Sequence, residues 1–194
     1  LEKHGVEFGR NVNAYTAQDE TVYNISEVPT TNPGLLDTCL LVLHDWSHYL
    51  LLVDEEIDGE RGVISEEWRT RRNAGFRVRN QIMPVLLKDS KYAQRDVIGD
   101  LNIIKNFKYQ TLRDYYHKWY RPDLQAIAVV GDFDVDQMEK KVKELFSKIP
   151  TPVNPAKREN FTVNPHDEIY FVCATDKELT QSSVSVYIKY PAPT

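Results

Sequence analysis

The sequence predicts an α+β fold in which helices cover one face of a mostly antiparallel sheet. Three observations support this class. Residues 11–28 contain two β-branched and aromatic runs around the turn-like AQDE, which is typical of a hairpin. Later segments repeat apolar residues at helical spacing. An apolar run from Ala126 to Val130 meets Gly131 and leads into an amphipathic helix capped by Asp134.

The predicted helices follow the hairpin in order. The first is capped by Asn32 and opens with Pro33, which suits an N-terminal turn. The second runs from Asp54 to Arg72 and begins with acids, which the helix dipole favours. The segment RNAGFRVRN interrupts the pattern. A helical stretch follows Ser90, and Thr111–Trp119 is predicted as a further helix with its first residue as the cap.

Prolines divide the C-terminal part of the chain. Pro150, Pro152 and Pro155 mark a linker at residues 151–164, after a first domain at residues 1–150. Glu168–Cys173 and Ser183–Tyr190 predict two strands that open a second unit at residues 165–194. About 30 residues cannot bury a core of their own, so these strands are expected to pack on the first domain or to lack their natural neighbours.

Composition excludes several classes of function. The 194 residues are 41% hydrophobic and 27% charged, as in ordinary globular proteins. The net charge of -5 comes from interspersed acids and bases without a basic stripe, which argues against nucleic acid. The most apolar stretch, Leu35 to Val53, is interrupted by charged residues and histidines, so no membrane segment is predicted. Cys39 and Cys173 have neither metal-site spacing nor a disulfide framework.

Glu60 and Glu67 are the main candidate site residues. Seven residues apart, they fall within about 20° of each other on a helix and share a stripe with Ile57, Ile64 and Trp68. A carboxylate on an apolar stripe needs a cation, a metal or hydrogen-bond donors to compensate it. Two helical turns separate their Cα atoms by about 10 Å, so one would bind an ion and the other would support it. The alternative is an ordinary acidic helix whose glutamates are solvated and paired with nearby arginines.

His44 and His48 resemble a zinc clip only at first sight. They stand four residues apart in HDWSH, on one helical face. A peptidase motif of this kind requires a glutamate to take the proton from metal-bound water, and Ser47 occupies that position. Both are therefore interpreted as ordinary helix histidines.

Three segments together resemble the pitrilysin/insulinase zinc metallopeptidases, the family with the inverted H-x-x-E-H motif. They are NVNAYTAQDETVY, EEIDGERGVISEEWR and YYHKWYRPDLQAIAVVGDFDVDQMEKKVKELFSKIP, and their order and spacing cover nearly the whole chain. The resemblance implies zinc-dependent hydrolysis of peptides. It assigns Glu67 as the third zinc ligand and Glu60 as the acid that holds a histidine ligand. It also assigns Asn13 and Ala14 to the strand that receives an extended substrate as an added β-strand.

The H-x-x-E-H motif itself does not occur in these 194 residues. In the family it precedes the first matched segment, so the chain is interpreted as a fragment that provides one of three zinc ligands. We expect no tight Zn²⁺ site and no peptidase activity from it alone. The alternative is a non-catalytic partner or structural subunit of the same family.

The resemblance also implies how the chain is used. The family's similar domains pair into a clamshell around the substrate, so the expected partners are a peptide and a second half or partner subunit. Neither nucleic acid nor a membrane segment is expected. Cytoplasmic and periplasmic locations are equally open.

Overall fold

A computed structural model gives the structure of residues 1–190. These residues contain six α-helices and one antiparallel sheet, which confirms the α+β class. The sheet consists of β1 (Val12–Thr16) and β2 (Thr21–Ile25). The helices are α1 (Pro33–His48), α2 (Asp54–Arg71), α3 (Ala74–Leu86), α4 (Leu101–Asn106), α5 (Tyr109–Trp119) and α6 (Val135–Phe146). Short 3₁₀ helices lie at Glu2–His4, Lys91–Gln94 and Pro122–Leu124.

The chain divides into two compact units. The first unit comprises Leu1–Asp54 and Lys108–Lys157. The second unit comprises Glu55–Phe107 and the described residues from Arg158 to Tyr190. Each unit is therefore built from two separate stretches of sequence. The sequence predicts a first domain at residues 1–150 and the start of a second, similar domain at residue 165. These two boundaries stay a prediction.

The hairpin and α1 form the core of the first unit. Val6, Val12, Leu35 and Cys39 are buried together, with Trp46 packed at the margin. Asn32 caps α1 as predicted, since its side-chain oxygen accepts a hydrogen bond from the Leu35 amide. Burial of these apolar side chains fixes one face of the hairpin on the helix.

An aromatic cluster joins β2 to α1 and α5 within the first unit. Its members are Tyr23, Trp46, Tyr116 and Tyr120. The hydroxyls of Tyr23 and Tyr120 are 2.7 Å apart, and the Tyr116 hydroxyl donates to the Trp46 carbonyl at 2.7 Å. Burial raises the pKa of Tyr116 to about 12, so its phenol is protonated at every ordinary pH.

An arginine joins the two stretches of the second unit. Arg77 on α3 donates to both carboxylate oxygens of Asp176, at 2.6 and 2.8 Å, and to Glu178 at 2.6 Å. A second connection lies nearby, where the Tyr92 hydroxyl donates to the Phe161 carbonyl at 3.1 Å. These contacts hold Phe161, inside the predicted linker, and the chain near Asp176 against the part of the second unit that precedes them in sequence.

Two helix boundaries differ from the sequence prediction. Thr111 does not cap α5, because the helix begins at Tyr109 and the Thr111 amide donates to the Lys108 carbonyl. The interruption after α2 covers only Arg72 and Asn73, because the Asn73 side chain accepts from the Phe76 amide and starts α3 at once. In both places a local hydrogen bond decided a boundary that periodicity alone left open.

Two predicted strands and the apolar run at residues 126–130 are not paired in the described part of the chain. Ala126–Val130, Glu168–Cys173 and Ser183–Tyr190 form no strand there, although their composition favours one. Val130 is 96% exposed and Ile169 is 98% exposed. A strand requires a hydrogen-bonded neighbour, and none of the described residues provides one to these segments.

No helix within residues 1–190 combines the length and apolar character needed to cross a membrane.

The Asp176–Arg77 ion pair should make the free energy of unfolding decrease when the pH is lowered into the acid range. Hydrogen bonds from Arg77 lower the pKa of Asp176 to about 2 from its usual 3.8. A depressed carboxylate pKa stabilises the folded state above pH 3.8, and this contribution is lost as the pH falls towards 2. Urea unfolding should therefore show a lower midpoint for Asp176→Asn at pH 6, and the difference from the wild type should shrink towards pH 2.

Glu66→Gln is the matched control, because Glu66 forms an exposed ion pair with Arg69. A wild-type to Asp176→Asn difference that is as large at pH 2 as at pH 6 would contradict this role.

Candidate functional site

Helix α2 fixes the direction of both candidate acids. Taking Arg61 as the origin and about 100° per residue, Ile57, Ile64 and Trp68 all lie within about 60° of it. Glu60 and Glu67 lie about 100–120° away on the same side. The face that packs against the protein is therefore centred between the arginine and the apolar residues, with both acids on its edge.

Glu60 and Glu67 are therefore more exposed than we expected for two acids on the apolar stripe of a helix. Ile57 is buried, and Ile64 and Trp68 are half-buried, whereas Glu60 is exposed. The Glu67 side chain is 43% exposed. Half-burial is thus found only for Glu67, and Glu60 is exposed although both acids lie at the edge of the packed face.

Glu67 has a partner on its own helix. The Nη2 atom of Arg71 lies 2.5 Å from its Oε1 atom, one turn further along α2. This contact is the kind expected from the alternative interpretation, in which the glutamates of an ordinary acidic helix pair with nearby arginines. It occupies only one carboxylate oxygen, and Oε2 accepts no hydrogen bond from the described residues. Glu60 makes no hydrogen bond or ion pair with any residue among 1–190.

Arg61 anchors the part of α2 that carries these acids. Its Nη1 and Nη2 atoms donate to the carbonyls of Ile104 and Phe107, at 2.5 and 2.7 Å. Its guanidinium also lies 3.8 Å from the centre of the Phe107 ring, and its Nε donates to Asp58 at 3.0 Å. These carbonyls lie at the end of α4, where a helix leaves acceptors without intrahelical partners. The arginine thus fixes the rotation of α2 relative to α4.

The described residues alone do not fit a zinc ion. Catalytic zinc sites take three protein ligands, and no group of three or more His, Cys, Asp or Glu side chains comes together within residues 1–190. Glu67 can contribute a single carboxylate. His44 and His48 are engaged in packing, as predicted for ordinary helix histidines. The Nδ1 atom of His48 lies 3.1 Å from the Tyr120 carbonyl oxygen, and His44 stacks on Tyr49.

The hairpin presents an accessible strand edge at β1. Asn13 pairs with Asn24 and Ala14 pairs with Tyr23. The Ser26 amide donates to the Asn11 carbonyl, and the Ala17 amide donates to the Glu20 carbonyl. Pairs alternate between bonded and non-bonded types along an antiparallel ladder, so the odd-numbered residues of β1 bond to β2.

The even-numbered residues of β1 therefore direct their backbone groups away from β2. The first, Val12, is already used, because its amide donates to the Glu7 carbonyl and its carbonyl accepts from the Gly9 amide. Ala14 and Thr16 have exposed side chains and make no such bonds within the described chain. The residues of β2 from Val22 to Ile25 are half-buried. The accessible edge is therefore β1 at Ala14 and Thr16.

The Asn13 side chain connects β1 to the turn that precedes it. Its side-chain nitrogen donates to the carbonyls of Gly9 and Arg10, at 3.0 and 3.3 Å. Its backbone faces β2 and is not available to a further strand. Of the two predicted substrate residues, Ala14 thus offers the free main-chain groups, and Asn13 supports the turn that precedes them.

Two family models cover most of the chain. The model described as "Insulinase (Peptidase family M16)" matches residues 1–89, and the model described as "Peptidase M16 inactive domain" matches residues 106–194. The chain belongs to the insulinase family. Glu60, Glu67, Asn13 and Ala14 all lie in the part that matches the first model.

Curated relatives in the insulinase family carry zinc protease names. A probable zinc protease PqqL of Haemophilus influenzae is 36% identical over 164 residues, which are 84% of this chain and 18% of that protein. The probable zinc protease PqqL of Escherichia coli is 33% identical over 98% of this chain and 20% of that protein. The chain therefore spans about a fifth of the length of these relatives.

Solved structures show the same fold. The first half of the periplasmic protease PqqL from Escherichia coli superposes with a TM-score of 0.79 at 34% identity, over 85% of this chain and 35% of that chain. A mutant of the ferredoxin protease FusC in complex with Arabidopsis ferredoxin superposes with a TM-score of 0.77 at 27% identity, over 86% of this chain and 18% of that one.

Sequence analysis did not single out Arg61 as a structural anchor. It was considered only as a surface partner for the glutamates. The available signal was its place on the helical wheel, among Ile57, Ile64 and Trp68 rather than on the opposite face. A charged residue in that position has to find acceptors inside the protein.

Removing the Arg61 anchor should destabilise the chain. The Arg61 side chain is only 14% exposed, so its hydrogen bonds are poorly replaced by water. Arg61→Gln should lower the free energy of unfolding by about 2 kcal/mol, since hydrogen bonds to charged groups contribute about 1.5–3 kcal/mol. Urea denaturation followed by circular dichroism measures this difference.

Arg69→Gln is the control on the same helix, because Arg69 is exposed and pairs only with an exposed glutamate. Its effect should stay within about 0.5 kcal/mol. Equal unfolding midpoints for the two variants would show that Arg61 is not an anchor.

Proposed function

We propose that this chain is part of a zinc-dependent metalloendopeptidase that holds its peptide substrate as an added β-strand. Membership of the insulinase family and the zinc protease names of its relatives support the reaction class. The observation that carries the proposed mode of binding is the open edge of β1 at Ala14 and Thr16. An extended peptide can add main-chain hydrogen bonds at such an edge whatever its side chains are.

In the complete enzyme, Glu67 would be one zinc ligand and Glu60 would hold a histidine ligand. The remaining ligands would come from residues outside this chain. Bound zinc would activate a water molecule and polarise the scissile carbonyl. The Arg71 contact is compatible with a ligand role, because it holds Oε1 and leaves Oε2 for the ion. By itself, the chain is proposed to have neither tight zinc binding nor turnover.

A second half would complete the enzyme. The chain covers 35% of the solved first half of PqqL and about a fifth of the complete relatives, so most of the relatives' length lies beyond the matched region. We propose that this remaining part, or a partner subunit, closes over the peptide as the other side of a clamshell.

A non-catalytic subunit is the second candidate function. The match of residues 106–194 to the model described as an inactive domain favours it, as does the pairing of Glu67 with Arg71. The two candidates differ in whether the acids of α2 affect zinc binding.

The zinc content of the complete gene product tests the role of the acids. Glu67→Gln should abolish tight zinc binding, because it removes a charged ligand. Glu60→Gln should weaken zinc binding by about 10- to 100-fold, as expected when a group that orients a ligand is lost. Metal analysis after dialysis and a competition titration with a zinc chelator measure both effects.

Glu66→Gln is the matched control, because this neighbouring acid pairs with Arg69 and is exposed. It should bind zinc like the wild type. If all three variants bind zinc equally, or if the wild type binds none, the non-catalytic candidate is favoured and the proposed metallopeptidase role fails.

The open edge of β1 is tested by removing one amide. Ala14→Pro deletes an N–H group that faces away from β2, so it should leave the hairpin ladder intact and block an added strand. We expect peptide binding by the complete gene product to weaken at least about tenfold, since several main-chain hydrogen bonds are lost together. Fluorescence anisotropy of a labelled unstructured peptide measures this change.

Ala14→Ser keeps the amide and a small side chain, and should bind the peptide like the wild type. Amide hydrogen exchange of β2 confirms that the hairpin is retained in Ala14→Pro. Unchanged peptide affinity in a variant with an intact hairpin would refute binding at this edge.

A further inference from the structure

We infer that Tyr23 and Tyr120 are positioning residues that hold the peptide-binding edge of β1 in place. Their paired hydroxyls, in the aromatic cluster of the first unit, carry this inference. It rests on the proposed function, because it concerns how the same edge is kept ready for a peptide.

The first step is the register of the hairpin. Tyr23 lies directly opposite Ala14, in a pair of the non-hydrogen-bonded type. Side chains in such pairs are close, so the position of Ala14 follows that of Tyr23. Ala14 itself has only a methyl group and cannot anchor the strand. The strand that would receive the peptide is therefore located by the side chain across from it.

The second step is the environment of Tyr23. Its hydroxyl meets the Tyr120 hydroxyl at 2.7 Å, and its ring centre lies 5.6 Å from that of Trp46. Burial and the hydrogen bond to Tyr120 raise the pKa of Tyr23 above its ordinary value. The phenol therefore stays protonated, and the hydroxyl pair persists throughout the range in which a peptidase would work.

The third step is that Tyr120 is itself fixed. Its ring packs on Tyr116 with ring centres 4.5 Å apart, and its carbonyl oxygen lies 3.1 Å from Nδ1 of His48. Tyr116 is in turn bonded to the Trp46 carbonyl of α1. The hydroxyl pair thus connects the hairpin to the ends of two helices, α1 and α5.

This connection matters for binding because a two-stranded hairpin is only marginally stable on its own. When a peptide binds to a mobile strand, the strand loses conformational entropy, and this loss weakens the binding free energy. A strand held in place by Tyr23 and Tyr120 avoids this loss. Removing the hydroxyl bond should therefore weaken peptide binding even in a fully folded protein.

The experiment compares Tyr23→Phe, Tyr120→Phe and the double variant in the complete gene product. A labelled unstructured peptide serves as the probe, with metal removed by a chelator so that no cleavage occurs. Each single variant should raise the Kd about three- to tenfold, which corresponds to the loss of one hydrogen bond. The double variant should be no weaker than the single ones, because both remove the same bond.

Tyr115→Phe is the matched control. Tyr115 lies on α5 with an exposed ring, so the same chemical change should leave the Kd unchanged. In the zinc-loaded protein, Tyr23→Phe should raise KM and leave kcat unaltered, a split that a general loss of folded protein would not give. Faster exchange of the Asn13 and Tyr15 amides, which bond to β2, should accompany the change in Kd.

Wild-type affinity for the peptide in both single variants would overturn the inference, as would additive effects in the double variant. Failure of the proposed function itself has a different signature. If Ala14→Pro binds the peptide normally, the edge is not the binding site. If Ala14→Pro loses binding while Tyr23→Phe and Tyr120→Phe do not, only the positioning role is lost.

Discussion

The alternation of bonded and non-bonded pairs between β1 and β2 is the constraint on which the candidate site depends. Because the odd-numbered residues of β1 bond to β2, the even-numbered ones must direct their amides and carbonyls the other way. A shift of one residue would exchange the two sets and turn Val12 out of the core. Burial of Val12 against Leu35 and Cys39 therefore also decides which backbone groups remain open.

A similar constraint acts on α2. Arg61 is tied to the carbonyls at the end of α4, so the helix cannot rotate about its axis without breaking these bonds. The directions of Glu60 and Glu67 follow from that fixed rotation. In β1, the buried Val12 side chain determines which backbone groups are open to a peptide. In α2, Arg61 determines the directions of Glu60 and Glu67. Neither Val12 nor Arg61 takes part in the proposed reaction.

The sequence predicted the fold class, the hairpin, the Asn32 cap and the acid-bearing helix, because each depends on local pattern and hydrogen bonding. It also identified the family from its motifs. It could not predict the boundary of α5 at Tyr109, which depends on a backbone bond to Lys108. Nor could it show that Glu60 is exposed, since exposure depends on the face of α2 that Arg61 turns inward. The strand composition of residues 168–173 and 183–190 was recognised, but strand formation requires a neighbour that composition does not reveal.

The open stretch of β1 is short. The turn at residues 7–9 closes it at Val12, and the hairpin bend that follows Thr16 closes its other end. Only Ala14 and Thr16 can form main-chain hydrogen bonds with an added strand, and each hydrogen bond contributes about 1 kcal/mol net. A peptide held by so few hydrogen bonds would dissociate quickly, so an enzyme built on this edge would not be blocked by its own cleaved products.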